Sequence, residues 1–308
     1  MKYLQICDNR VNASEIILGF SRIENLSSKE LDILVKTALD AGINFFDHAD
    51  GYGLGKCETL FGDSIKFNSS MRESVYIQTK CGIRKDIQGY DLSKEHIVKS
   101  CEKSLERLKT EYVDVLLLHR IDPLYEPDEV AEAFEKLYST GKVRYFGVSN
   151  TKPMQIEMLN SYLGEKRIMI NQLQFSLMHA CMINSAVLAN SREPDACDRD
   201  GELIDYCRLK RVTIQAWSPI QYGFLMGAFL DNEDYPELNA VLNRIAEEKG
   251  VSNSAIALAW ILRHPARMQV VIGTTTPDRV TSMSKASGLE LSREEWWELY
   301  CAAGNLVL

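Results

Sequence analysis

Short runs in which almost every residue is apolar or β-branched recur along the chain, separated by longer stretches whose apolar residues return every three or four positions. The first kind reads as buried strand and the second as amphipathic helix. The strand-like runs are IILGF (16–20), NFFD (44–47), VYIQTK (75–80), VDVLLLH (113–119), YFGVSN (145–150), IMINQ (168–172), VTIQAW (212–217) and VVIG (270–273). Of the helical stretches, SSKELDILVKTALDAG (27–42) sets Leu31, Leu34, Val35 and Ala38 on one face and stops at Gly42. SKEHIVKSCEKSLERLK (93–109) opens on Ser93 as an N-cap and repeats Ile97, Cys101, Leu105 and Leu108, while PDEVAEAFEKLYSTGKV (127–143) stops at Gly141. Eight strands alternating with about as many helices in 308 residues predict an α/β fold, a single (β/α)8 TIM barrel occupying residues 1–308 as one domain. A doubly wound sheet loses its main support because no G-x-G-x-x-G follows the first strand. The polar stretch ANSREPDACDRDGE (189–202) reads as a long loop between the sixth and seventh strands, either a lid or decoration.

Composition narrows the partners. Forty-three acidic against 35 basic residues give a formal net charge of −8, and no block of Lys and Arg offsets it. Nucleic acid and anionic membranes are therefore poor partners. The longest apolar run, Ala255 to Leu262, is too short to span a bilayer, and MKYLQICDNRV at the N-terminus has no apolar targeting core. The eight cysteines, at 7, 57, 81, 101, 181, 197, 207 and 301, are scattered with no C-x-x-C pair. Reduced thiols in a cytoplasmic protein are the simplest expectation.

Candidate chemistry sits where strands end. NFFDHADGYGLG (44–55) passes from strand residues into Asp47, His48, Asp50 and Tyr52 among three glycines. In a barrel of this kind, strand ends converge on one mouth. Asp47 ends the second strand, Lys80 the third, His119 the fourth, Ser149 and Asn150 the fifth, Gln172 the sixth and Trp217 the seventh. Asp47, Tyr52, Lys80 and His119 make a plausible proton-transfer set. An ammonium beside Tyr52 should lower its pKa from the ordinary value of about 10, and Asp47 should hold that ammonium charged and in place.

These residues resemble the aldo-keto reductases, and among them bacterial oxidoreductases whose second strand reads D-H-A-D-x-Y-G. The resemblance runs from LGFSR (18–22) to GTTTPDRV (273–280) and includes TKCG after the third strand, LLLHR after the fourth and GKVRYFGVSN at 141–150. It implies NAD(P)H-dependent reduction of a small carbonyl substrate. Tyr52 would protonate the carbonyl oxygen as nicotinamide delivers hydride, Lys80 and Asp47 would tune Tyr52, and His119 would orient the carbonyl. Ser149, Asn150 and Gln172 match the positions that hold the carboxamide, and Trp217 matches a stacking ring. Gly19, Phe20, Ser21, Asp47 and Ser218 match further cofactor-binding positions. Thr276 reads as an N-cap and Pro277 as a first helical residue, which points backbone N–H groups at an anion. By the resemblance, Gly273, Thr274, Thr275 and Arg279 surround the adenosine 2′-phosphate, so NADP(H) should be preferred, with NAD(H) as the alternative. Many relatives have a lysine where this chain has Gly273, which weakens the expected preference.

Two rivals remain at this stage. One is a metal-dependent hydrolase on the same barrel, with His48, His119, Asp47 and Asp50 as ligands, although the five histidines show no H-x-H or H-x-x-x-H spacing. The other is a non-catalytic NADP-binding regulatory subunit, as in the potassium-channel β subunits that share the fold. Phe20, Tyr90, Tyr222, Phe224 and the 189–202 loop are candidates to line the substrate pocket. No motif specifies an oligomeric state.

Overall fold

The computed structural model of the protein describes residues 1–66, 68–223 and 226–308. The strands in chain order are β1 (Tyr3–Ile6), β2 (Val11–Ser14), β3 (Ile16–Gly19), β4 (Phe45–Asp47), β5 (Tyr76–Cys81), β6 (Ile83–Arg84), β7 (Gly89–Tyr90), β8 (Val113–Leu118), β9 (Val143–Ser149), β10 (Ile170–Gln174), β11 (Thr213–Trp217) and β12 (Met268–Ile272). Among the described residues, eight of them close a barrel in the order β10-β11-β12-β3-β4-β5-β8-β9, with every pairing parallel. This is the (β/α)8 TIM barrel that the alternation predicted.

Each predicted strand is present with shifted ends. The sixth begins at Ile170 instead of 168, because the Ile168 N–H is taken by Asn160 Oδ1, and it runs on to Gln174, which pairs with Trp217. Gln172 therefore lies inside its strand and not at its end.

Alternation along the strands sorts the core into two layers. Ile16 and Leu18 of β3 pack outward with the helices, while Ile17 packs inward with Phe45, Val115, Leu117, Ile170 and Val271. The β1–β2 hairpin seals that inner layer, placing Ile6, Cys7, Val11 and Ala13 against it. Its turn carries Cys7, Asp8 and Asn9 at φ of 49°, 56° and 65°, a left-handed run that contains no glycine. That hairpin was not anticipated.

The helices follow their amphipathic stripes. Ser28–Asp40 starts on a capping box in which Ser27 and Glu30 exchange hydrogen bonds, and it buries Leu31, Leu34, Val35 and Ala38. Helix Lys56–Ser64 packs so closely on Lys94–Leu108 that Gly62 lies against the carbonyl of Arg107. None of the eight cysteines is in a disulfide. Among the described residues no helix is long and apolar enough to cross a membrane.

Candidate active site

Strand periodicity turns Asp47 of β4 and both Gln78 and Lys80 of β5 into the barrel. The strand then gives way to a 3-10 turn at Tyr52–Gly55, and Gly53, Leu54 and Gly55 take φ of 55°, 56° and 89°. Glycine suits two of those three positions, which explains their clustering after the strand. The turn brings Tyr52 back over Lys80. The ammonium of Lys80, with no exposed surface, donates to both Asp47 oxygens at 2.7 Å, to the His48 carbonyl at 2.8 Å and to the Tyr52 hydroxyl at 3.0 Å. His119 completes the group, its ring edge-on to Tyr52 with centroids 6.0 Å apart.

The charge states follow from this geometry. Burial pulls the Lys80 pKa down, but Asp47 and Tyr52 raise it by more, so the net shift is upward and the ammonium stays charged. Burial also dominates at Tyr52. It raises the phenol pKa by more than Lys80 lowers it. The expected depression of the Tyr52 pKa is therefore corrected, because desolvation of a phenolate outweighs one neighbouring ammonium that is itself paired with Asp47. Since Lys80 donates to the Tyr52 oxygen, the phenol's own proton is left free to be donated. Burial, and then the positive charges of Lys80, Arg120 and Lys85, hold His119 well below the usual imidazole range. At neutral pH it is uncharged, with Nδ1 buried and unpartnered.

Beneath these groups lies an amide chain that the motif reading missed. Gln78 Nε2 donates to Asp47 Oδ1 at 2.6 Å and to Gln215 Oε1 at 2.8 Å, and Gln172 Nε2 reaches the same two atoms at 3.1 Å. Gln215 then donates to Gln269 at 3.2 Å, and Gln269 to the Ser14 carbonyl at 2.8 Å. Asp47 Oδ1 thus accepts from Lys80, Gln78 and Gln172. The available signal was a glutamine at the centre of three apolar strands, in YIQTK, TIQAW and MQVV.

Asp50, noted beside Tyr52, has a buried Oδ1 with no hydrogen-bond partner. Burial and Glu58 push its carboxyl up to about 7 against the pull of Arg107. Glu58 itself is engaged by Thr79 at 2.6 Å and by Arg107 at 2.8 and 2.7 Å. His48 points elsewhere again, stacked on Phe20 and edge-on to Phe61 at centroid distances of 4.6 and 4.5 Å. The hydrolase ligand set therefore does not assemble: among the described residues no three His, Cys, Asp or Glu side chains are placed to share a metal ion.

Elsewhere on the mouth, four of the predicted cofactor positions are linked by hydrogen bonds. Trp217 Nε1 donates to Asn150 Oδ1 at 3.2 Å, Asn150 Nδ2 to Ser149 Oγ at 2.7 Å, and Ser149 Oγ to the Gln172 carbonyl at 2.8 Å. Asn150 and Ser218, at the ends of β9 and β11, have φ of 53° and 52°. Strained backbone of this kind persists where the surroundings impose it, and it clusters at binding sites.

At the end of β12, a Cβ built on Gly273 would meet only Ser21 Oγ at 3.9 Å, so the backbone there is open to a ligand. Thr274 and Thr275 are half-buried, and Ser21 and Arg279 are exposed. Amides at one end, with hydroxyls and a guanidinium at the other, suit a nicotinamide carboxamide and a phosphate. Asp278, in the first turn of helix Pro277–Ser284, opposes the anion.

Two details differ from expectation, and a third adds to it. Phe20 has no exposed surface and its ring stacks on His48, so only its backbone can face the mouth. The Thr276 side chain makes no capping bond; Thr274 Oγ1 instead accepts from the Thr276 N–H at 3.2 Å. Gly19 is confined, because a Cβ there would approach Val271 Cγ1 to 2.9 Å. Of the pocket candidates, Tyr90 is exposed at the β6–β7 hairpin, Tyr222 packs on Tyr235, and Phe224 lies outside the described residues. The 189–202 loop folds on itself, with the Asp198 carboxylate accepting from the N–H groups of Asp200, Gly201 and Glu202 at 3.1, 3.0 and 3.1 Å.

Comparison with known proteins gives one consistent result. The chain is 36% identical over 314 residues to the uncharacterized oxidoreductase YcsN of Bacillus subtilis, covering 98% of each chain. It is 33% identical over 306 residues to a 6-dehydroglucose reductase of Agrobacterium fabrum, covering 96% of each. The solved structure of the thermostable aldo-keto reductase Tm1743, in complex with the inhibitor epalrestat, superposes with a TM-score of 0.78 at 26% identity, covering 98% of this chain and 100% of that one. The profile of the Aldo/keto reductase family matches residues 15–300, and with that match this chain belongs to the aldo/keto reductase family.

Proposed function

We propose that Tyr52 is the general acid in the NAD(P)H-dependent carbonyl reduction that membership of this family assigns to the chain. The observation that supports this reading is the hydrogen bond from the buried Lys80 ammonium to the Tyr52 oxygen. Bound at the rim, the cofactor supplies the hydride. Tyr52 stays protonated at neutral pH because burial raises its pKa. When it gives its proton to the carbonyl oxygen, the phenolate that forms is met at 3.0 Å by a cation already in place. Lys80 thus acts on the product of proton transfer more than on the resting acid. Asp47, bonded by Lys80, Gln78 and Gln172, keeps that cation charged. Neutral His119 has one N–H to offer a carbonyl oxygen and no charge to compete with the acid.

In the same reading, Ser149, Asn150, Gln172 and Trp217 hold the nicotinamide end. Since Gln172 spends its amide nitrogen on Asp47 and Gln215, its oxygen is the atom left for a carboxamide. The backbone at Gly19 and Phe20 lies beside the Asp47 strand, and Ser21, Ser218, Gly273, Thr274, Thr275 and Arg279 hold the phosphates. NADPH is preferred over NADH through Arg279, by a margin that Asp278 and the absent lysine at Gly273 reduce. The substrate is a small aldehyde or ketone, a class that includes the sugar aldehyde named for the Agrobacterium relative. The chain works as one domain in the cytoplasm, consistent with its free thiols.

The test is Tyr52→Phe, which keeps the ring and removes the proton. Carbonyl reduction should fall roughly 10²-fold or more with NADPH affinity nearly unchanged. Near-native turnover in this variant would place the acid elsewhere and sink the assignment.

A further inference from the structure

The loops after β4, β5 and β8 lie side by side on the barrel, flanked by β3 and β9 and opposite the β10, β11 and β12 ends. They carry Tyr52, Lys85 and Arg120 respectively. Lys85 donates to the Gly51 carbonyl at 2.8 Å, which anchors its ammonium beside the backbone of Tyr52. Arg120 directly follows His119, is half-buried and, among the described residues, has no hydrogen bond or ion pair. Both cations are close enough to His119 to oppose its protonation.

Three carboxylates of these loops are already engaged. Asp86 and Asp91 bind Arg84 at 2.6 to 3.1 Å, and Asp122 accepts from the N–H groups of Leu124 at 2.9 Å and Leu92 at 3.4 Å. Asp50 is held up to about 7, and the Glu24 carboxylate lies against Gly53 of the Tyr52 loop. What sets Arg120 and Lys85 apart is that, among the described residues, neither is ion-paired with a carboxylate, Lys85 being held by a backbone carbonyl. Around them stand Leu54, Ile87 and Leu124, 73%, 61% and 87% exposed, one from each of the same three loops.

We propose that Arg120 and Lys85 form an anion subsite, and that the preferred substrate is an aldehyde or ketone carrying a carboxylate or phosphate on a largely apolar body. The subsite rests on the carbonyl-reduction reading and adds the substrate class to it. With the carbonyl oxygen between Tyr52 and His119, an anionic group a few atoms away falls against Arg120, whose planar fork suits carboxylate and phosphate alike. The apolar side chains cover the intervening carbon skeleton. The cofactor's own phosphates belong to the β12 turn across the mouth and do not compete for these cations.

Two substrate pairs test this: 4-carboxybenzaldehyde against methyl 4-formylbenzoate, and 4-formylphenyl phosphate against 4-methoxybenzaldehyde, each with saturating NADPH. The native enzyme should favour the anion in at least one pair by about 10-fold or more in kcat/KM, mainly through KM. The pair that shows it separates carboxylate from phosphate. The preference should shrink with added salt, since exposed charges are screened beyond about 8 Å at physiological ionic strength. It should collapse toward unity in Arg120→Met, less so in Arg120→Lys, and weaken in Lys85→Met. No preference in either pair, or one that survives both methionine substitutions, overturns the subsite while reduction of the neutral carbonyls stands. If none of the four carbonyls oxidises NADPH, the carbonyl-reduction reading falls and the subsite falls with it.

Discussion

Replacing His48 with leucine should make the protein less sensitive to acid, by an amount the structure sets. The imidazole is wholly buried between Phe20 and Phe61, neither ring nitrogen has a hydrogen-bond partner, and burial, then Lys80, pushes its pKa down to about 3. In the unfolded chain the same group titrates near 6.5. Above that value both states are neutral and His48 costs nothing. Below it, the unfolded chain takes up a proton that the folded protein refuses, so stability is lost as pH falls from about 6.5 toward 3. At pH 5 the gap is about 1.5 pH units, or about 2 kcal/mol at about 1.4 kcal/mol per unit. His48→Leu removes this titration while leaving the His48 backbone carbonyl on Lys80 in place. It also removes two unpaired buried nitrogens, so stability at pH 7.5 should hold or rise. Urea unfolding of both proteins at pH 7.5 and pH 5.0, followed by tryptophan fluorescence, gives the double difference, in which Asp50 and all other titrating groups cancel. The loss between the two pH values should be about 2 kcal/mol smaller in the variant. A double difference below about 0.5 kcal/mol, the scatter expected of independent sites, would refute the reasoning.

Two further outcomes are expected. Arg279→Ala should weaken NADPH binding by roughly 10- to 100-fold, since a charge-assisted contact is worth about 1.5–3 kcal/mol, and weaken NADH much less; equal losses in a fluorescence titration would detach Arg279 from the 2′-phosphate. Gly62→Ala should destabilise the protein by several kcal/mol, of the order of a severe overpacking change, because the added methyl would collide with the Arg107 carbonyl and Leu108 backbone; an unchanged thermal midpoint would show that helices Lys56–Ser64 and Lys94–Leu108 can separate freely.

The barrel was legible because each of its strands is either a short apolar run, as in IILG, or ends in a polar residue that the geometry must place at the mouth. Asp47, Lys80 and His119 could thus be assigned to one rim before any distance was known. The β1–β2 hairpin was not legible, since its turn is built from Cys7, Asp8 and Asn9 in left-handed conformations that the sequence does not announce with glycine. Gln78, Gln215 and Gln269 escaped for a different reason. Each is unremarkable in its own strand, and its meaning depends on partners up to 255 residues away, as between Gln269 and Ser14. The direction of the Tyr52 shift was misjudged because it is a contest between desolvation and a single ammonium, and only the degree of burial decides it.

The glutamine chain also governs how this interior can change over generations. Gln215 Oε1 receives two amide nitrogens, and its own nitrogen is the donor on which Gln269 depends. Altering Gln215 or Gln269 takes away the other's hydrogen-bond partner inside the barrel, whereas exchanging the set together for aliphatic side chains would leave the Ser14 carbonyl without Gln269 and Asp47 with Lys80 alone. Single steps at Gln215 and Gln269 are therefore each disfavoured although the joint change need not be. The four positions should behave as one inherited unit, with the effects of paired substitutions departing strongly from the sum of the single ones. A lineage that kept Asp47 while trading glutamines one at a time would have to pass through its least stable intermediates.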